Sequence, residues 1–154
     1  MHDHSYSVQI KDVITGKDVV IYEPANVYGC TLGDGVFVGP FVEIQANTVI
    51  GSGTKIQSHS FICEYVTLGE NCFIGHGVMF ANDMFQSGKP NPDRHSWARI
   101  TLGNNVCIGS GACILAVSIC DDAVIGAGSV VTKDITEKGV YAGNPARWLR
   151  ELPA

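Results

Sequence analysis

The sequence from Cys30 to Asp83, CTLGDG VFVGPF VEIQAN TVIGSG TKIQSH SFICEY VTLGEN CFIGHG VMFAND, repeats every six residues. The third place of every hexad is aliphatic or Phe, and the first place is small or β-branched. An α-helix has 3.6 residues per turn, so a period of six would spread these positions around its surface. Short strands put the first and third residues on one side, and the following Gly, Asp or Asn permits a turn. The repeat therefore predicts short parallel strands stacked into coils about 4.8 Å apart, with a β-sandwich as the alternative.

The repeat is interrupted once, by a polar segment that we predict to be a protruding loop over residues 84–99. The hexads resume at Ile100 and run to Asp134. A long loop inside so regular a coil is more often functional than accidental. Its basic side chains suit phosphate and its Trp suits substrate contact, which makes four candidate substrate-binding residues: Lys89, Arg94, His95 and Trp97. The alternative is a solvated loop that only clasps a neighbouring subunit.

Composition limits what the protein can be. The 154 residues suit one domain, and a net charge of −5 offers no basic stripe for nucleic acid. No run of about 18 apolar residues predicts a membrane span, and MHDHSYSVQI lacks the apolar core of a signal peptide, so we expect a cytoplasmic protein. Six cysteines lie inside the repeat without a CxxC pair, which indicates reduced core thiols and no metal site.

The hexads resemble those of the hexapeptide-repeat family over residues 19–152. The resemblance implies an all-β fold, a left-handed parallel β-helix in which residues 18 apart stack on one face, here with five to six coils. It also implies a homotrimer with active sites between subunits. The ending YAGNPARWLREL (141–152) predicts a turn and a short C-terminal helix over about 145–152, because Asn144 can cap and Pro145 suits the first helical position. We predict a single domain, 1–154.

Three functions are compatible with this family: acyl transfer from coenzyme A, a metal-dependent carbonic anhydrase, and a noncatalytic scaffold. In the carbonic anhydrases of this fold, the second and third zinc ligands resemble a His-x4-His pair. Here Ala81 stands five residues after His76, while His2 and His4 lie at the terminus. Zinc needs three protein ligands, so this function is disfavoured. A scaffold explains the repeat but not the loop.

Within acyl transfer, the residues at the start of the loop favour an amine acceptor. Related sugar O-acetyltransferases carry a catalytic histidine in a Thr-His-Pro-like stretch there, because a hydroxyl is a poor nucleophile without a base. This chain has FANDMF instead. An amine with a pKa of about 8 is partly neutral near pH 7 and can attack a thioester unaided.

The 18-residue stack places Asn82 one coil above Glu64, with Asp83 beside it. The carboxylates can accept hydrogen bonds from an amine, and Asn82 can donate to the developing oxyanion. GHGVMFANDMF and ILAVSICDDAVIGAGSVVTKDI are similar to N-acetyltransferases that act on nucleotide-linked 3-amino-3,6-dideoxyhexoses. That resemblance implies catalytic roles for Glu64, Asn82 and Asp83, and it also includes His76, either at the substrate or between subunits.

Acetyl-CoA is the implied co-substrate, lying along the C-terminal coils. Two glycine-rich runs permit close approach of its pantetheine arm, and two basic residues can meet its phosphates. The candidate cofactor-binding residues are Gly109, Ser110, Gly126, Ala127, Lys133 and Arg147. The predicted reaction is acetylation of the 3-amino group of a dTDP-linked 3-amino-3,6-dideoxyhexose, with a sugar or antibiotic O-acetyltransferase as the alternative. The sequence does not specify the nucleotide base, the configuration of the sugar or the group at its C6.

Overall fold

The chain winds into a three-sided parallel β-helix of about seven coils, as the hexads predict. The structure is a computed structural model that describes Ser7 and residues 9–153. His2 and His4 lie outside the described residues. Successive coils contribute short strands to three faces, and the strands of a face pair in parallel except for the last strand of the chain, which pairs antiparallel. The architecture agrees with the left-handed β-helix that the family resemblance implies.

The strands are numbered in chain order. Face 1 contains β1 (Ile10–Lys11), β4 (Asn26–Tyr28), β7 (Glu43–Ile44), β10 (Phe61–Ile62), β13 (Met79–Phe80), β16 (Cys113–Ile114) and β19 (Val130–Val131). Face 2 contains β2 (Ile14–Thr15), β5 (Thr31–Leu32), β8 (Val49–Ile50), β11 (Val66–Leu68), β14 (Ile100–Leu102) and β17 (Ser118–Ile119). Face 3 contains β3 (Val20–Ile21), β6 (Phe37–Val38), β9 (Lys55–Ile56), β12 (Phe73–Ile74), β15 (Cys107–Ile108), β18 (Ala123–Ile125), β20 (Gly139–Ala142) and β21 (Arg147–Arg150).

The pairing register follows the six-residue repeat. On face 1, Phe61 pairs with Met79, eighteen residues later. The first and third places of all nine hexads between residues 30 and 83 are buried, so the predicted core positions are confirmed. Small buried groups such as Cys30 and Cys72 fill the first place. The six cysteines are free thiols, as the sequence predicted.

The interruption is a protruding loop, as predicted. Phe80 ends β13, Ile100 begins β14, and a 3-10 turn over Arg94–Ser96 is the loop's one helical piece. Beyond the loop the coil resumes in register, because Val66 pairs with Ile100 across it. The described residues contain no helix with the length and apolarity needed to cross a membrane.

Two fold predictions were wrong. The C-terminal helix over about 145–152 is instead the strand β21, which pairs antiparallel with β20. The last coil would otherwise leave an edge of unpaired backbone groups, and the returning chain covers it. The coil is also longer than five to six turns, because pairing already begins at Ile10. Its first strands are exposed and lack clear hexads, so the sequence pattern did not show them.

Candidate active site

The candidate residues lie along two different edges of the β-helix. The edge between faces 1 and 2, called here the acceptor corner, carries Glu64, Asn82 and the loop. The edge between faces 3 and 1, called here the histidine corner, carries His76, Ser110 and Ala127. Because face 1 separates these two edges, one chain holds the predicted catalytic residues as two groups.

At the acceptor corner, Asn82 lies one coil above Glu64, as predicted. The Asn82 Nδ2 group donates to the Glu64 backbone carbonyl at 2.8 Å. Both side chains are buried, at 7% and 3% exposure, because the loop covers this edge. A carboxamide nitrogen has two N–H donors, so Asn82 retains one for a ligand.

The Glu64 carboxylate is paired with a cation from the loop. Its Oε1 accepts from the Arg94 guanidinium, whose own pKa is raised by that hydrogen bond and charge. Arg94 also lies 5.9 Å from the centre of the Trp97 ring. Arg94 was predicted to meet phosphate, and the structure places it on Glu64 instead.

A polar strip on face 1 adjoins Glu64, and the sequence analysis missed it. Gln45 accepts from the Glu64 backbone N–H at 3.3 Å and donates to Glu43 at 3.0 Å. The pKa of Tyr28 is raised by burial and then by the nearby carboxylates of Glu43 and Glu64. Tyr28 and Glu43 lie on the paired strands β4 and β7, and Gln45 directly follows β7. Tyr28 is 15 and 17 residues from Glu43 and Gln45, so the 18-residue stacking rule did not predict this strip.

Asp83 organises the loop. Its Oδ1 accepts from the Phe85 N–H at 3.0 Å and its Oδ2 from the Asn91 N–H at 2.7 Å. Asn91 in turn accepts, through its backbone carbonyl, from the Trp97 indole at 3.0 Å. Both carboxylate oxygens of Asp83 therefore accept hydrogen bonds from backbone N–H groups of the loop. Asp83 stabilises the conformation of the loop around the site.

This loop encloses a pocket of about 290 Å³ next to Asn82. Its lining is mainly polar, with two larger apolar side chains: Asn82, Asp83, Met84, Gln86, Ser87, Asn91, Ser96, Trp97 and Ala98. The remaining loop candidates, Lys89 and His95, are exposed to solvent. The structure thus brings Trp97 to the pocket beside Asn82, and leaves Lys89 and His95 outside that lining.

The histidine corner is a second group of polar side chains. His76 is exposed, its Nδ1 is 2.9 Å from the Ser58 hydroxyl, and its backbone N–H donates to Ser110 at 3.1 Å. Five residues separate His76 from Asn82, and they include the face 1 strand β13. His76 therefore lies with the candidate coenzyme residues, across face 1 from the acceptor corner of its own chain.

The glycines of this corner have a structural reason. A Cβ on Gly109 would overlap the backbone nitrogen of Ala127 and lie 2.8 Å from its Cα. A Cβ on Gly126 would lie 2.8 Å from the Ala142 Cβ. These glycines permit the coils to stack, whereas Ser110 and Ala127 are the exposed positions that a ligand can reach.

Lys133 and Arg147 line one pocket of about 310 Å³ at the C-terminal end of the β-helix. Tyr141, Trp148 and the acidic Asp134 line it as well. A helix was predicted at this position. The structure instead has the hairpin of β20 and β21, which brings Arg147 to the pocket. Two cations at one open pocket suit a phosphate group.

The fold and its corners define the chain as a hexapeptide-repeat protein. Residues 29–64 and 47–82 match the family described as bacterial transferase hexapeptide (six repeats). Residues 99–133 match the family described as hexapeptide repeat of succinyl-transferase. The chain belongs to the bacterial hexapeptide-repeat transferase family.

Three similar proteins illustrate this membership. Galactoside O-acetyltransferase of Escherichia coli (strain K12) is 36% identical over 130 residues, 79% of this chain and 64% of that protein. A hexapeptide-repeat acetyltransferase of Vibrio cholerae, solved with acetyl coenzyme A, has a TM-score of 0.70 and 25% identity, covering 82% of this chain and 72% of that one. PerB of Caulobacter crescentus, solved with CoA and GDP-perosamine, has a TM-score of 0.65, covering 89% and 57%.

These similarities differ in what they support. PerB is 23% identical and supports the fold alone. The chain also spans less than two thirds of the first curated relatives it matches, 64% of the galactoside O-acetyltransferase and 30% of the bifunctional protein GlmU of Synechococcus sp. (strain CC9605). Activity, substrate and assembly are therefore argued below from the site.

Proposed function

We propose that the protein transfers an acetyl group from acetyl-CoA to the 3-amino group of a dTDP-linked 3-amino-3,6-dideoxyhexose. The observation that carries this proposal is the buried pair of Glu64 and Asn82 at the mouth of the loop. A carboxylate there suits an amine, and the loop begins with Asn-Asp where the related O-acetyltransferases have a histidine. The similarity of GHGVMFANDMF to the amino-sugar N-acetyltransferases supports the choice of sugar.

The reaction needs orientation more than a strong base. The neutral amine attacks the thioester carbonyl, the new C–N bond forms, and the C–S bond breaks to release the coenzyme thiolate. The proton lost by the nitrogen ends on the thiol of coenzyme A. Glu64 accepts a hydrogen bond from the amine, and the free N–H of Asn82 donates to the oxyanion. Asp83 holds the loop around them.

The coenzyme is proposed to lie along the histidine corner and the C-terminal coils. Ser110 and Ala127 are the exposed contacts for the pantetheine arm, and Lys133 with Arg147 supplies positive charge for phosphate. The similarity to an acetyltransferase solved with acetyl coenzyme A supports acetyl-CoA as the co-substrate. Gly109 and Gly126 contribute by letting the coils stack under that path.

A complete site then needs more than one copy, and we propose a homotrimer. Face 1 separates the two corners within a chain, so the histidine corner of one copy has to meet the acceptor corner of another. Apolar outward positions for such contact include Phe61 and Met79 on face 1 and Phe73 on face 3. Face 2 presents Thr67 and Thr101, with the exposed apolar Val49 and Ile14 in its earlier coils.

An O-acetyltransferase is the second candidate, favoured by the 36% identity to galactoside O-acetyltransferase. It requires a base for the hydroxyl, and the exposed His76 and His59 both lie at the histidine corner. A noncatalytic scaffold is the third candidate.

The test is to incubate the protein with acetyl-CoA and a panel of amino and hydroxy sugar nucleotides while measuring thiol release. We expect release that depends on both the protein and the dTDP-linked 3-amino sugar. Release with the hydroxy sugars alone would favour the second candidate. Absence of release across the panel, together with no binding of acetyl-CoA by calorimetry, would favour the scaffold.

A further inference from the structure

Glu64 is a buried carboxylate on the coil, and its counter-charge comes from Arg94, an exposed side chain of the loop. Its exposure is 3%, whereas that of Arg94 is 61%. A buried charge needs a partner, because water no longer solvates it. The partner here is a long, exposed side chain on the loop.

The contacts of Glu64 show which of its polar groups an incoming ligand can bind. Its backbone N–H and carbonyl are held by the coil, through Gln45 and Asn82. Its carboxylate is held by Arg94. An incoming ligand can therefore compete for the carboxylate without disturbing the coil, and the group it competes with is a cation.

We infer that Arg94 occupies the ammonium position of the acceptor site, and that a positively charged acceptor displaces it. This inference rests on the proposed function and deepens it, because it names the loop residue that an acceptor has to displace. An ammonium group replaces the lost positive charge at Glu64 on binding, and it loses a proton to solvent before the neutral amine attacks. A neutral hydroxyl that displaced Arg94 would leave the buried carboxylate without a counter-charge. Both acceptors give up the same Arg94 contact, so Glu64 sets the preference for the ammonium group and Arg94 lowers the affinity for both.

The neighbouring indole makes the displacement measurable. Arg94 lies over the ring of Trp97, and the chain has two Trp residues, so Trp148→Phe leaves Trp97 as the one tryptophan, which can be excited at wavelengths that Tyr does not absorb. In this background, a dTDP-linked 3-amino-3,6-dideoxyhexose and its 3-hydroxy counterpart are titrated below pH 7 without acetyl-CoA. We expect the amino sugar to change Trp97 emission, and the hydroxy sugar to bind weakly and change it little.

Two variants provide the comparison. Arg94→Gln removes the guanidinium, and Arg99→Gln removes a guanidinium at the end of the same loop that lies 5.4 Å from the Tyr65 ring. We expect Arg94→Gln to tighten binding of both sugars about tenfold, because neither then has to displace the guanidinium, while Arg99→Gln leaves both affinities unchanged. The amino-to-hydroxy preference in dissociation constant should stay the same, because Glu64 sets it.

Equal emission changes with both sugars in the Arg94 protein would overturn the inference, and so would unchanged affinities in Arg94→Gln. Failure of both sugars to bind would also overturn it. The titrations contain no acetyl donor, so their outcome is separate from that of the proposed function. A protein that discriminates the two sugars but releases no thiol would support the inference and contradict the proposed reaction.

Discussion

Asn82 holds the acceptor corner together and keeps one donor for the reaction. Its carboxamide satisfies the backbone carbonyl of Glu64, which is buried with it. Loss of that partner leaves a buried acceptor unpaired, at a cost of about 1–3 kcal/mol. Loss of a donor to an oxyanion typically lowers turnover about 10²–10³-fold.

We therefore expect Asn82→Ala to lower kcat by about 10²-fold or more and to reduce stability by about 1 kcal/mol. Steady-state kinetics and urea unfolding measure the two effects. Asn82→Asp is the matched variant, since it keeps the shape but has no N–H donor. Turnover by Asn82→Asp at the rate of the unchanged protein would show that donation by Asn82 is unimportant.

Cys63 lies under the loop beside Glu64, and its burial predicts how stability changes with pH. Burial raises the pKa of its thiol from 9.0 to about 12. A thiol in the unfolded chain ionises near 9, so the unfolded state loses its proton first. The stabilisation that the protonated Cys63 thiol contributes to the folded state is fully present below pH 9, and it declines as the pH rises toward 12.

We expect the free energy of unfolding to fall between pH 8 and pH 10.5, and to fall less in Cys63→Ser. Urea titrations at the two pH values compare the proteins directly. Cys30, whose pKa burial raises to about 11, adds to the decline in both of them. Identical declines in the two proteins would mean that Cys63 reaches solvent at this pH.

At the scale of elements, coil stacking sets strict limits at the histidine corner. The side chain missing at Gly109 would point into the next coil, at Ala127. Gly111, two residues on, has φ +71° and open space at its Cβ position. The two glycines are close in sequence and differ in what a methyl group would meet.

We expect Gly109→Ala to lower stability by several kcal/mol, because the neighbouring backbone has to shift. Gly111→Ala should cost about 1 kcal/mol, from its left-handed conformation alone. Thermal unfolding of the two variants measures the difference. A smaller loss for Gly109→Ala than for Gly111→Ala would contradict the stacking described here.

Elements whose conformation follows from the repeat could be predicted from the sequence, and elements whose conformation depends on tertiary contacts could not. The buried places from Leu32 to Phe80 followed from the hexads, since one period fixes both strand and core. The ending did not, because capping by Asn144 favours a helix locally while the open edge of β20 selects a strand. Arg94 was identified, but its contact with Glu64 depends on the loop's path, which has no repeat to predict it.

At the scale of the molecule, the proposed site joins the two corners through contact between copies. We expect sedimentation at micromolar concentration to give about three chain masses. Phe73→Asp places a charge on the apolar face 3 and should dissociate the assembly, whereas Thr67→Asp on face 2 should leave it intact. Both positions are exposed strand residues in this chain. A single-chain species for the unchanged protein would contradict a site between copies.

The central claim is that the acceptor is an amine. The most direct measurement mixes equal amounts of the dTDP-linked 3-amino sugar and its 3-hydroxy counterpart with acetyl-CoA and a limiting amount of the protein. The acetylated products are then separated by mass spectrometry before and after hydroxylamine, which cleaves esters and spares amides. The account predicts an amide on the amino sugar as the main product. A predominant ester on the hydroxy sugar would contradict it.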